Sequence, residues 1–201
     1  MQVRVLTEAD GNRYRGLRLA MIEESPELSS PEIVRELAFF ARFGKGVLGN
    51  HALEGTRVWG ACVGAYLAGV VAATRGFERG SLRAIQLWGL YVHPEFRGRG
   101  VGQALVRTAI EWVWQQPSAT EAVLYANHGD GHALRLFRQC GFEFFEDEAL
   151  RDTRLCAMRL DCKKNQARYD SRKQGPGTVA GTGQHGDEGN RAAGRNTAAG
   201  G

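Results

Sequence analysis

Between Leu87 and Gly102 the chain reads Leu87-Trp88-Gly89-Leu90-Tyr91-Val92-His93-Pro94-Glu95-Phe96-Arg97-Gly98-Arg99-Gly100-Val101-Gly102. An apolar strand, a glycine turn and a helix start follow one another. Gly98, Gly100 and Gly102 permit positive φ and let a ligand come close to the backbone. Successive N–H groups then converge at a helix N-terminus, where unpaired donors and the helix dipole favour an anion. Arg97 and Arg99 add positive charge, and a pyrophosphate is the natural guest. A dinucleotide fingerprint would need G-x-G-x-x-G, and Leu105 stands where a further small residue would be sought. A P-loop would need Gly-Lys-Ser/Thr, which is absent. A tight turn without a ligand is the remaining alternative.

The elements that must position this turn are legible around it. Met1 to Leu6 alternates as a first strand, and Thr7 with Asp10 three residues on suits a helix start. Tyr14, Leu17, Leu19, Ala20 and Ile22 recur at roughly helical spacing, with Pro26 at or beyond the end. A second helix is expected over Pro31 to Arg42, and a loop over Gly44 to Gly55. Val58–Val63 and Tyr66–Ala73 read as a hairpin turning near Gly64. Leu82 to Val92 reads as a central strand that Pro94 brings to an end. From Gly102 to Gln116, Leu105, Ala109 and Val113 form one apolar row and Val106, Ile110 and Trp114 a second, as in a buried amphipathic helix. Ala122–Ala126 is a strand and His132–Cys140 a helix that Gly141 can close. Phe142–Phe145 and Leu155–Leu160 are final strands, expected to be antiparallel.

The turn and its surroundings resemble the GNAT superfamily of N-acetyltransferases. The family signature R/Q-x-x-G-x-G/A is matched by Arg97-Gly98-Arg99-Gly100-Val101-Gly102, after the strand exit Leu90-Tyr91-Val92-His93-Pro94. A downstream element, Ala133-Leu134-Arg135-Leu136-Phe137-Arg138-Gln139-Cys140-Gly141-Phe142, matches as well. The resemblance spans about residues 1–160 in element order and is specific over 87–142. It implies an α/β fold of the α+β type, a mixed and mostly antiparallel sheet flanked by helices with a splayed central strand pair. By the same resemblance acetyl-CoA lies in the splay. Leu90, Tyr91 and Val92 pair with its pantetheine arm, Arg97, Gly98, Arg99, Gly100, Val101 and Gly102 hold its pyrophosphate, and Asn127 and Phe137 flank it. The implied reaction is direct attack of a primary amine on the thioester, catalysed mainly by positioning, with a strand N–H polarising the carbonyl.

Two positions depart from the family. The central strand has Gln86 where a carboxylate is often found, leaving Glu23 and Glu24 as substrate-side carboxylates or as solvated helix-end charges. Phe137 replaces the tyrosine that usually protonates the leaving thiolate. Either the thiolate leaves unaided, as a thiol pKa near ~8.5 permits, or Tyr91, Tyr125 or Cys140 donates. No catalytic residue is thereby assigned. His93 is read as structural. His128 and His132 are four apart but lack a third ligand, so no metal is expected.

Composition narrows the class. With 43% hydrophobic and 24% charged residues the chain reads as a soluble globular protein. The formal charge of +4 resides in residues 163–201, which carry seven Lys/Arg against three Asp/Glu and nine glycines. Residues 1–162 are balanced and offer no basic footprint for nucleic acid. The expected organisation is one acetyltransferase domain over 1–162 and a disordered, basic Gly/Ala-rich tail over 163–201, either inert or an arm for anionic partners. Cys62, Cys140, Cys156 and Cys162 lack C-x-x-C spacing, as expected of reduced thiols in a cytoplasmic protein. No signal peptide or membrane span is expected. Acceptor choice is expected to fall to residues 21–57. The rival readings are a non-catalytic acyl-CoA-binding or sensing domain and, more distantly, a nucleotide-binding domain.

Overall fold

The computed structural model describes residues 1–24, 38, 48, 55–75 and 83–164. Strand β1 (Gln2–Val5) leads into a short 3-10 turn, Glu8–Asp10, and then helix α1 (Gly11–Glu24). Asp10 makes this junction. Its carboxylate accepts the Thr7 N–H at 3.0 Å, both guanidinium Nη groups of Arg4 at 2.7 and 2.8 Å, and Arg13 Nη2. A carboxylate that is 2% exposed is thereby fully partnered.

The hairpin is β2 (Thr56–Val63) and β3 (Tyr66–Arg75), turning at Gly64 with φ +58°. Strand β4 (Ala84–Val92), helix α2 (Val101–Trp114), β5 (Glu121–Asn127), helix α3 (Gly131–Gln139), β6 (Glu143–Phe145) and β7 (Leu155–Asp161) complete the described chain. The sheet has seven strands in the order β1-β2-β3-β4-β5-β7-β6. Every pairing is antiparallel except β4 with β5. This is the mixed, mostly antiparallel sheet with flanking helices that the resemblance implies.

Side-chain alternation sorts the core onto two faces. Ile85, Leu87, Ala122, Leu124 and Met158 pack with Leu105, Ala109 and Val113 of α2 and Phe137 of α3. Val58, Val70, Ala72, Trp88 and Tyr91 pack on the other face with Tyr14, Leu17 and Met21 of α1. Besides Gly11 at its start, the buried set of α1 is Tyr14, Leu17, Arg18 and Met21, an i, i+3, i+4, i+7 stripe, while Leu19 is 41% exposed. The expected stripe therefore shifts, because a fully buried arginine occupies one of its places.

Several expectations fall on other residues. Of the helix expected over Pro31 to Arg42 only Ala38 is described, and it is helical. Leu48 corrects the loop expected over Gly44 to Gly55: it is helical and 6% exposed, its side chain within the α1-side cluster. Gly55 is a turn residue with φ +74°, as a loop end would have, and the remainder of both segments lies outside the described residues. Lys163 and Lys164 continue a helical turn after β7, and the rest of the expected tail lies outside the described residues. No described helix is long and apolar enough to cross a membrane.

Candidate active site

The site is formed where β4 and β5 part. They pair only through Ala84↔Glu121, Ile85↔Ala122 and Gln86↔Val123, after which no register partner joins them. The splay expected of the central strand pair thus opens beyond Gln86. Strand β4 lines one side from Leu87 to Val92 and β5 the other up to Asn127.

A bulge adjusts the backbone of β4 here. Val70 pairs with Tyr91 and Ala72 with Trp88, so Val71 alone opposes two residues, Gly89 and Leu90. Gly89 has φ +59°, the left-handed conformation of the first residue in a glycine-type bulge. Beyond the bulge the His93 N–H bonds Ala68 O on β3 at 2.9 Å. Alternation then turns the peptide groups of Val92 and Leu90 away from β3, toward the splay. In agreement, the Val92 carbonyl accepts Arg97 Nε at 2.8 Å instead of a β3 amide.

At the head of the splay the chain makes a 3-10 turn, Pro94–Phe96, and the glycine turn into α2. Gly98 and Gly100 have φ +72° and +77°, and a Cβ on either would meet no atom within 4 Å. The first bond into α2 runs from Ala104 N–H to Gly100 O, so the N–H groups of Val101, Gly102 and Gln103 precede it. Open space, a left-handed backbone and leading helix amides make this a fitting seat for a phosphate. Gly102 differs from its neighbours: its Cβ would lie 2.9 Å from Leu136 Cδ1, so its smallness lets α2 approach α3.

Arg97 is directed elsewhere than a phosphate-only role would place it. Its Nη1 and Nη2 make a bidentate pair with Glu24 Oε1 and Oε2 at 2.6 and 2.7 Å. Tyr91 donates its hydroxyl to Glu24 Oε2 at 2.9 Å and lies under the Arg97 guanidinium, 5.6 Å from ring centre to Cζ. Glu24, read from sequence as a substrate-side carboxylate or a solvated charge, joins α1 to the residue that leads into the glycine turn. Hydrogen bonds from Arg97 chiefly hold its carboxyl below the usual range, with Tyr91 adding to the effect. Burial, followed by the Glu24 carboxylate, pushes the Tyr91 phenol up to about 12. Tyr91 is therefore a poor proton donor near neutrality. Glu24→Gln should lower the Tyr91 ionisation pH without restoring it to the ordinary value, since burial is the larger cause; phenolate absorbance titrated against a Tyr91→Phe control measures this.

The other residues read from sequence fall into place around the splay. Arg99 extends over the Phe96 ring, 5.9 Å from its centre. Phe137 is 7% exposed and packs edge-on against Phe142, with ring centres 6.0 Å apart. Asn127 Oδ1 accepts the Gly129 N–H at 2.8 Å and shapes the loop after β5. Asp130 was not legible as a site residue, yet its carboxylate caps α3 by accepting the His132 and Ala133 N–H groups; an aspartate just before an apolar periodic run is the signal for it. Tyr125 reaches Asp147 at 3.5 Å, and burial raises the Cys140 thiol. His93 contacts Phe96 and lines a cavity of about 300 Å³ with Arg13, Leu17, Tyr66 and Leu67. Among the described residues, none of the cavity's lining comes from β5 or α3.

Residues 19–142 match the family model described as acetyltransferase (GNAT) family. No curated protein matches the sequence. Among solved structures, the ribosomal-protein-alanine N-acetyltransferase of Brucella melitensis is similar with a TM-score of 0.63 and 19% identity, covering 80% of this chain and 99% of its own. A point mutant of the spermidine N-acetyltransferase SpeG from Vibrio cholerae gives 0.56 and 18%, covering 84% and 99%. The PaiA N-acetyltransferase of Thermoplasma acidophilum, in complex with coenzyme A, gives 0.60 and 16%, covering 80% and 99%. At these identities the likeness is one of fold.

Proposed function

Because the chain belongs to the GNAT family of acetyltransferases, we propose that it moves the acetyl group of acetyl-CoA onto a primary amine of a small molecule or protein by direct attack. The observation that carries this reading is the splay beyond Gln86 with the open glycine turn at its head. Acetyl-CoA, as co-substrate, supplies the activated acyl group. The leading amides of α2 and the Gly98–Gly100 backbone hold its pyrophosphate. Arg99 supplies the positive charge there, and Arg97 braces the turn through Glu24 and the Val92 carbonyl. Leu90 and Val92 face the pantetheine arm from β4, Tyr91 supports them from beneath, and Asn127 and Phe137 bound the far side.

An aliphatic amine near pKa ~10.4 is neutral in about one molecule in 10³ at pH 7, so the site must orient or desolvate it. Gln86 offers no charge for proton removal, and Phe137 has no proton to give. Thiolate therefore departs without a donor from α3. That same feature is what favours the rival reading, a domain that binds or senses acyl-CoA without turnover. Amine-dependent thiol release from acetyl-CoA, measured over a panel of amines and N-terminal peptides, is the expected result. Tight binding of coenzyme A with no thiol release from any acceptor would replace the enzyme reading with the sensor one.

A further inference from the structure

The α1 stripe places a charged residue where a nonpolar one would be expected. Arg18 is 0% exposed. Its Nε donates to Tyr14 Oη at 3.0 Å, and its guanidinium lies 5.0 Å from the Tyr14 ring centre and 5.5 Å from that of Trp88. Its Nη1 donates to the Gly89 carbonyl at 2.5 Å. A buried guanidinium carries a large desolvation cost, so what it touches is informative. It touches the bulge, at the first of the two residues that oppose Val71.

Gly89 and Arg18 fit one another. A Cβ on Gly89 would lie 2.6 to 3.0 Å from three guanidinium atoms, so the arginine fills the space that the missing side chain leaves. The Gly89 carbonyl and the Leu90 N–H belong to one peptide unit, and no cis bond occurs in the described chain. In a trans peptide the two groups point in opposite directions. With the carbonyl drawn toward α1 by Arg18, the Leu90 N–H faces away from α1. A cation on the carbonyl oxygen also polarises the whole amide, making its N–H a stronger donor.

We infer that Arg18 is a positioning residue for acyl transfer, which holds and polarises the Gly89–Leu90 peptide so that the Leu90 N–H stabilises charge on the thioester oxygen. This rests on the acetyl-transfer reading above. In that reaction the amine nitrogen bonds the carbonyl carbon, the C–S bond breaks, the thiolate leaves with the bonding pair and the amine releases a proton to water. Arg18 exchanges no proton and forms no bond to the reactants; it acts through the peptide.

The test uses the full chain with carbonyl-labelled acetyl-CoA and infrared difference spectra of the bound thioester. The wild-type protein should lower the thioester carbonyl frequency relative to solution. Arg18→Met should lose much of that displacement and about tenfold in kcat, with KM for acetyl-CoA within about twofold, a split expected when a donor acting mainly on the transition state is weakened. Arg18→Lys, which keeps a charge but has a single nitrogen in place of the fork that bonds Tyr14 and Gly89, should fall between the two. If Arg18→Met does not fold, the Lys variant decides alone: a reduced displacement supports the inference and an unchanged one overturns it. Unchanged frequency and kcat in a folded Arg18→Met protein would sink the role of Arg18 and leave the acetyl-transfer reading standing. Failure of the wild-type protein to bind acetyl-CoA would remove both.

Discussion

Gly100→Asp is expected to weaken coenzyme A binding by about 100-fold, while Gly100→Asn weakens it by less than about tenfold. Gly100 has φ +77°, a region that Asp and Asn enter more readily than other side chains, and its Cβ would meet nothing. The two variants thus share shape and backbone cost and differ in charge. A carboxylate about 5 Å from a diphosphate charge, at an effective permittivity near ~20, costs about 3 kcal/mol, which is the size of a hundredfold change. The carboxylate also sits at the head of α2, where the helix dipole favours it, so thermal stability should not fall beside the Asn variant. Calorimetric titration with coenzyme A measures the difference, and equal affinities in the two variants would move the pyrophosphate away from this turn. Gly102 is a poorer place for the same experiment, because a Cβ there would lie 2.9 Å from Leu136 Cδ1 and that side chain would have to shift.

Asp10→Ala is expected to destabilise the fold by about 3 kcal/mol at neutral pH. The change removes a buried carboxylate that accepts from Arg4, Arg13 and the Thr7 amide, and hydrogen bonds to charged groups contribute about 1.5–3 kcal/mol each before the arginines recover water. The pH dependence has a definite sign. Hydrogen bonding from Arg4 above all holds the Asp10 carboxyl well below the ordinary carboxylate range, helped by the Thr7 N–H and the charges of Arg4 and Arg13. Its contribution is therefore complete above the unfolded value near ~3.9 and is lost as pH falls through the lower folded value. The stability gap between wild type and variant should be constant above about pH 5 and narrow below about pH 4. Chemical denaturation across that range reads both, and a gap that stays constant into acid would mean that Asp10 titrates normally.

The hairpin at Gly64, the glycine turn and the two amphipathic rows of α2 were legible because each is local. Period, turn chemistry and helix ends are written in neighbouring residues. The bulge at Gly89 was not, since a glycine within a strand signals an irregularity without saying what presses on it. Arg18 escaped for a related reason: pattern reading assigns a helix arginine to the water side, and its burial depends on Tyr14, Trp88 and Gly89 being brought around it. The Glu24–Arg97 pair joins residues 73 apart, and nothing near either residue announces the other. The site was therefore readable as a glycine turn beside a strand, but not as a turn already braced by a carboxylate from α1.

The three-residue seam between β4 and β5 also bears on how the molecule folds. Strands β2 to β4 close through near neighbours in sequence, whereas β1 must reach β2 across the longer stretch from Val5 to Trp59 and the parallel seam must wait for the stretch through α2 to be spanned. Because that seam supplies so few ladder bonds, cooperativity between the two half-sheets rests on the core they share, in which Ile85 and Leu87 of β4 cluster with Ala122 and Leu124 of β5. That shared core, which also includes Leu105, Ala109 and Val113 of α2, couples the two half-sheets in unfolding more than the backbone ladder does.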